Sequence, residues 1–309
     1  MNPLKWPGKS TAGQECQRNN PADYFGRRAK RFVTLGGTPS SPVVLDPLRN
    51  NMISTEVPSE TATIESLRET ELQEARAIQR AMLSSEKLET ARVTIESEFQ
   101  PVTEVGGDFL DYFLLSDGTA GLYLGDVTGK GLPAALFAAL AVGTLRGIHK
   151  TGTQPSAVLT LMNKRMMLKS VSLRYAAMQY ARLDPATGLM LISSAGMHGP
   201  LHLHAEGCKE LALCGIPPGL FPNTEYEMKE IQLADGDSVV FLSDGLIDAM
   251  DGDGEILGIE KIMELLADCH KKSPQEILRT LFSFVEAYAK GQAQQDDRTA
   301  AVLRYEGSS

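Results

Sequence analysis

Cysteine, tryptophan and net positive charge are what this 309-residue sequence has least of. Its four cysteines, Cys16, Cys208, Cys214 and Cys269, form no CxxC pair. That spacing argues against a disulfide framework or a cysteine zinc site and favours a reducing compartment. There is one tryptophan, and aromatic residues make up only 6%, yet apolar residues together reach 42%, enough for a substantial core. Thirty basic residues stand against 39 acidic ones, a formal charge of −9, which argues against nonspecific nucleic-acid binding. The N-terminus lacks an apolar leader segment. No apolar run reaches bilayer-spanning length; the longest, 132–142, is short and rich in alanine. The expectation is a cytoplasmic protein that engages neither nucleic acid nor membrane.

Composition divides what is present into three parts. Residues 1–60 are rich in Pro, Gly, Asn, Ser and Thr without periodicity, and read as a disordered tail. Residues 61–90 form a linker that turns to Glu, Arg, Gln, Leu and Ala, with a helix expected over 63–84. Leu72, Ala75, Ile78 and Met82 lie on its apolar stripe. This helix either packs on the domain C-terminal to it or serves as a dimerising, signal-receiving coiled coil. Residues 91–307 alternate strands and helices. Strands are expected over 93–99, 109–115, 120–126, 175–183, 188–194, 200–204, 226–232, 238–243 and 299–305, and helices over 132–150, 155–170, 259–271 and 274–290. Ser273 before Pro274 is an N-cap followed by Pro at the first helical position. Hairpins mixed with helix pairs indicate an α+β layered domain.

Four short acidic motifs carry the chemistry: Val105-Gly106-Gly107-Asp108, Gly125-Asp126-Val127-Thr128-Gly129-Lys130-Gly131, Phe241-Leu242-Ser243-Asp244-Gly245 and Gln295-Asp296-Asp297-Arg298-Thr299. Any one of them alone is an ordinary Asp turn. Taken together, they set carboxylates at strand ends, where a hard cation such as Mg²⁺ or Mn²⁺ finds oxygen ligands. A pair of such ions suits phosphate hydrolysis.

Rival readings fail on detail. Gly129-Lys130-Gly131-Leu132-Pro133-Ala134 matches a dinucleotide fingerprint, but no Asp or Glu follows until Asp184. The same stretch lacks the Ser/Thr and first Gly of a phosphate-binding P-loop. Asp251-Gly252-Asp253-Gly254-Glu255 has Ile256 and Ile262 where a calcium loop needs Gly and Glu, and reads as a hairpin-type turn. His202 and His204 alternate with Leu201 and Leu203 as on a half-buried strand, with the histidines on the solvated face.

In wording and order, the four motifs resemble the metal-dependent, protein phosphatase 2C-like (PPM) Ser/Thr phosphatases. The likeness is strongest to their bacterial RsbU/SpoIIE subgroup and runs from about Ala91 to Tyr305. It implies a two-sheet β-sandwich flanked by helices and a cofactor of two Mn²⁺ or Mg²⁺ ions. It also implies hydrolysis of phosphoserine or phosphothreonine by metal-activated water. By the same resemblance, Asp126 bridges the ions, the Val127 carbonyl is a backbone ligand, Asp108 serves one ion, and Asp244 and Asp296 serve the other. Gly107, Thr128 and Asp297 stand around them, and Asp297 is placed to orient Asp296 or a bound water. Thr128 stands where some relatives carry a histidine acid, and Met197 separates Gly196 from His198 in a motif that often reads Ala-Gly-His. The implied substrate is a phosphorylated anti-sigma-factor antagonist of a partner-switching, stress-response pathway. The helix over 63–84 resembles the subgroup's linker, which implies an upstream activator and a homodimer. The alternative is a catalytically silent interaction protein on the same fold.

Overall fold

The computed structural model describes residues 60–83, 86–149, 152–168 and 174–307. The expected tail therefore lies outside the described residues except for Glu60. The chain divides into two compact units, Met1–Arg68 and Glu69–Ser309. Of the first, only the opening turns of helix α1 (Glu60–Met82) are described; the second holds all the remaining described elements.

Two antiparallel sheets form the second unit. The six-stranded sheet runs β1 (Leu88–Glu89), β2 (Val93–Gln100), β11 (Arg298–Tyr305), β10 (Ser238–Leu242), β7 (Leu201–His204), β8 (Gly207–Glu210). The five-stranded sheet runs β3 (Phe109–Leu114), β4 (Ala120–Val127), β5 (Ala176–Asp184), β6 (Leu189–Ala195), β9 (Lys229–Gln232). Period-two alternation sorts each strand's side chains between two faces. Leu110, Leu122, Leu124, Ile192, Val239, Phe241, Ala301 and Leu303 meet in one core between the sheets. The outer face of the five-stranded sheet, with Phe109, Tyr123, Val127 and Tyr180, packs under α2 (Gly131–Ile148) and α3 (Pro155–Met167). On the other side, Leu201, Val240, Ala300 and Val302 pack under α5 (Ile259–Leu266) and α6 (Pro274–Ala289). The result is the expected α+β sandwich, in four layers.

Most expected elements form within a few residues of their forecast bounds. Ser273 caps α6 with a complete capping box, its hydroxyl accepting from the Glu276 amide. Four elements were missed: β1, β8, the one-turn helix α4 (Asp244–Ile247) and the 3-10 turn Ala267–Cys269 that ends the helix expected over 259–271. Each is four residues or fewer, too short for a periodic signal. The turn at Asp251 forms as read, with Met250 bridging Ile256. Two expectations need correction. His202 is buried rather than solvated, because β7 lies inside its sheet and its outer face is also covered. Helix α2 is long and apolar enough by length and composition to cross a membrane, but one face of it packs into the core through Ala134, Phe137, Ala138, Ala141 and Leu145.

Candidate metal centre

The rule that builds the core also builds the site. Asp108 has the parity of Leu110, Asp126 that of Leu124, Ser243 that of Phe241, and Asp297 and Thr299 that of Ala301. Each continues an inward-facing row past the point where apolar residues stop. The inner faces of both sheets thus run out, at one end of the sandwich, into carboxylates and hydroxyls.

Glycine makes the approach possible. A Cβ on Gly107 would sit 2.8 Å from the Val127 carbonyl oxygen, and one on Gly106 would strike the Asp297 carboxylate. A Cβ on Gly245 would strike the Asp297 carbonyl. These glycines admit close backbone packing. They draw the Asp108 loop against β4 and the start of α4 against the Asp297 turn.

Asp108 is fully buried and accepts a short hydrogen bond from the Thr299 hydroxyl. The Ser243 hydroxyl accepts from the Thr299 amide at 2.9 Å. Asp297 accepts from the amides of Val102 at 2.8 Å and Gly107 at 2.5 Å, so its carboxylate staples the 102–107 loop to β11. The Asp297 backbone amide donates to the Asp296 carboxylate at 3.0 Å. Thr128 bonds the Tyr175 backbone through its hydroxyl, accepting from the amide at 3.2 Å, and so ties the end of β4 to the start of β5. Lys130 reaches Asp296 at 2.9 Å with both side chains well exposed, a weak surface pair. His198 lies 3.9 Å from Glu210, which holds its imidazole above the usual pKa.

The carboxylates crowd one another. Burial first, then Asp244 and Asp296, push the Asp126 carboxyl up to about 8. Burial, then Asp296 and Asp248, push Asp244 up to about 6. Burial and Asp126 raise Asp108 well above the usual carboxylate range, and Asp108 and Asp126 share a hydrogen bond. Buried acids shift this way when nothing positive compensates them. Among the described residues, no three His, Cys, Asp or Glu side chains are grouped closely enough to hold a metal ion by themselves. Mg²⁺ requires less, since it retains several waters and binds through one or two carboxylates. A set of oxygen donors that repel one another, with a backbone carbonyl alongside, therefore fits a hard divalent ion.

Comparison with known proteins agrees with the two-sheet fold. Residues 116–306 match the family model described as Stage II sporulation protein E (SpoIIE). The chain belongs to the SpoIIE family. It is 25% identical over 261 residues to Protein IcfG of Synechocystis, covering 75% of this chain and 41% of that protein. It is 24% identical over 237 residues to Phosphoserine phosphatase RsbU of Bacillus subtilis, covering 76% of this chain and 70% of that protein. Among solved structures it resembles the SiaA-PP2C domain of Pseudomonas aeruginosa, with a TM-score of 0.71 and 23% identity over 80% of this chain and all of that one. That likeness establishes a PP2C-type fold for this SpoIIE-family chain.

Sequence motifs located Asp108, Asp126, Asp244, Asp296 and Asp297 but missed Asp248, an acidic neighbour of Asp244, and several residues that hold the carboxylates in place. Ser243 and Thr299 were visible inside the motifs, and strand parity would have pointed them inward. Gln79 carried a misleading signal. The apolar stripe expected for α1 runs through Ile78, which is 64% exposed, whereas Gln79 is only 8% exposed. The inward row is Leu72, Ala75, Gln79 and Met82, with a polar residue where the apolar pattern expects none.

Proposed function

We propose that this chain is a divalent-cation-dependent protein serine/threonine phosphatase. The observation that carries the reading is a crowded group of carboxylates at the inner-face end of the sandwich, with Asp108 buried, Asp126 half-buried and Asp244 at the open edge, all three raised in pKa by desolvation and by neighbouring acids. Asp108, Asp126, Asp244, Asp296 and the Val127 carbonyl would hold the ions, two of them Mn²⁺ or Mg²⁺. Such ions supply a water activated near neutral pH and neutralise charge building on phosphoryl oxygens.

The chain's own residues prepare this set. Thr299 fixes the Asp108 carboxylate by donating to it, and Ser243 holds Thr299 by accepting from its amide while donating to the Asp297 carbonyl oxygen. Asp297 fixes the loop that carries Asp108. Gly107 lets that loop reach the Val127 carbonyl. Thr128 is bound to Tyr175 and stands as a structural tie at the position where relatives place a histidine acid. Among substrates, the reading favours a phosphoserine protein, in keeping with the name of the relative Phosphoserine phosphatase RsbU, and within that class the anti-sigma-factor antagonists that the family resemblance implies.

The face formed by α1 and α2 fits control by a protein partner. Ile78, Leu132, Leu136 and Leu140 are exposed there. Ala75, Ile78, Met82, Leu132, Leu136 and Ala139 line a cavity of about 140 Å³ beside Asp108. We assign this face to a second copy of the chain or an upstream activator.

The test is hydrolysis of an aryl phosphate, then of a phosphoserine protein, with and without Mn²⁺. Turnover that requires the cation supports the reading. Folded protein with no turnover under either condition supports the silent interaction protein instead.

A further inference from the structure

The linker helix and the catalytic domain were expected to meet near residue 90. One buried side chain crosses that boundary. Gln79 donates through Nε2 to the Gly106 carbonyl oxygen at 2.7 Å and accepts at Oε1 from the Gly106 amide at 3.0 Å. Its carboxamide thus engages both polar groups of one residue, as a neighbouring β-strand would.

Gly106 has no other route to this pairing. It lies in a loop rather than a strand, and it is buried. Its Cα faces the Asp297 carboxylate so closely that a side chain would collide with it. The next residue, Gly107, donates to Asp297 at 2.5 Å, and the one after it is Asp108. Gln79 therefore grips the loop on one side while Asp297 grips it on the other, and Asp108 is fixed between them. The helix end that carries Gln79 is itself held, since Arg146 of α2 donates to the Met82 carbonyl oxygen at 2.7 Å and to Asp111 at 2.8 Å.

We infer that Gln79 is a positioning residue for the metal centre, so that the catalytic unit includes the C-terminal half of α1 rather than beginning near residue 91. The inference rests on the cation-dependent reading of Asp108. Residues one step removed from metal ligands typically change metal affinity or activity ~10–100-fold when altered.

The experiment uses the full chain and three variants. Gln79→Leu keeps the size and helical preference of the side chain and removes both hydrogen bonds. Gln79→Glu keeps the acceptor for the Gly106 amide and sets an oxygen against its carbonyl. Arg80→Ala changes an exposed neighbour on the same turn. Mn²⁺ affinity is read by calorimetry, Gly106 and Gly107 amide exchange by NMR, and folding by circular dichroism. Folded Gln79→Leu should bind Mn²⁺ about tenfold or more weakly and exchange faster at both glycines. Gln79→Glu should fall between it and the wild type, and Arg80→Ala should match the wild type. Should Gln79→Leu fail to fold, Gln79→Glu carries the test on the same readouts. Wild-type affinity and exchange in a folded Gln79 variant would overturn the inference, as would an equal loss in Arg80→Ala. If the wild type binds no Mn²⁺, the proposed function fails, and glycine exchange alone then decides whether Gln79 holds the loop.

Discussion

Strand β10 begins next to a buried aspartate, Asp237, and ends close to an exposed one, Asp244, and the two are treated in opposite ways. At its start, Asp237 accepts from His202 at 2.8 Å and from the Ala234 amide at 3.0 Å, and His270 stands 3.6 Å away. At its end, Asp244 has Asp296 and Asp248 for neighbours, and its carboxyl is pushed up to about 6. Asp237 is buried and Asp244 is open to solvent, yet Asp108, which belongs to the same centre as Asp244, is as buried as Asp237, so burial alone does not distinguish structure from site. Provision of partners does. Asp237 is supplied with donors by its own fold, and so is Asp111, through Arg146 and Tyr123. Asp126 and Asp244 are set among other acids, which raises the energy of their charged forms. A fold that leaves crowded acids in that state leaves room for a cation from outside.

The strongest test of this contrast is Asp126→Asn. It should lower cation-dependent turnover by at least about a hundredfold, since loss of a bridging ligand should exceed loss of a supporting one. The metal-free variant should be no less stable than the wild type, because one of several repelling carboxylates is gone. Turnover alongside thermal melting checks both, and a folded variant with near-normal turnover breaks the assignment. Asp237→Ala should do the reverse. It removes the hydrogen-bond partner of buried His202, whose imidazole burial holds neutral, and should cost about 2 kcal/mol of stability, while activity per folded molecule holds. Urea unfolding with an activity assay below the transition separates the two.

The pH dependence sharpens the comparison. Asp126 and Asp244 titrate at about 8 and about 6 in the folded protein against an ordinary 3.8, so between those limits the folded state holds more protons than the unfolded chain. Stability of the metal-free protein should therefore fall as pH rises from about 4 to about 8. Mn²⁺ should raise the melting temperature more at pH 8 than at pH 5, and scanning calorimetry in both buffers reads this. A smaller effect is expected from Ile78→Glu. Charge at this exposed position should weaken self-association or activator response and change turnover several-fold, measured by sedimentation and Mn²⁺ titration. Loss of association with unchanged turnover would make α1's outer face a tether only. The smallest effect belongs to the N-terminal segment. Deleting 1–58 should leave basal turnover within about twofold, because that composition lacks the pattern of a packed element.

Much of this was legible before any coordinates. The strands around Leu122 and Val240 show as apolar runs bounded by turn residues, and α6 announces itself through Ser273, Pro274 and Glu276. Three of the centre's aspartates, Asp108, Asp126 and Asp244, are marked by the glycines beside them, whereas Asp296 and Asp297 have none. The element that misled was α1, where helical spacing allows two nearly equivalent stripes. One passes through Ile78 and the other through Gln79, and hydrophobicity favours the wrong one. Only the Gly106 peptide group, brought there by the fold, rewards the polar side chain.

The sequence by itself determined the local order: which segments extend, which coil, and where the carboxylates interrupt them. Those outcomes follow from periodicity and from the short-range sterics of glycine and proline, which act within a few residues. Tertiary structure alone decided which carboxylates share one end of the sandwich and which receive partners. It brings Asp108 within reach of Thr299, 191 residues away in the chain, and Gly107 within reach of Asp297, 190 residues away. It also decided that His202 is buried and that Gln79 faces inward. Such contacts depend on how two sheets stack and how their inner rows align, and no window of neighbouring residues carries that information, because the energy that fixes it comes from burying both inner faces at once.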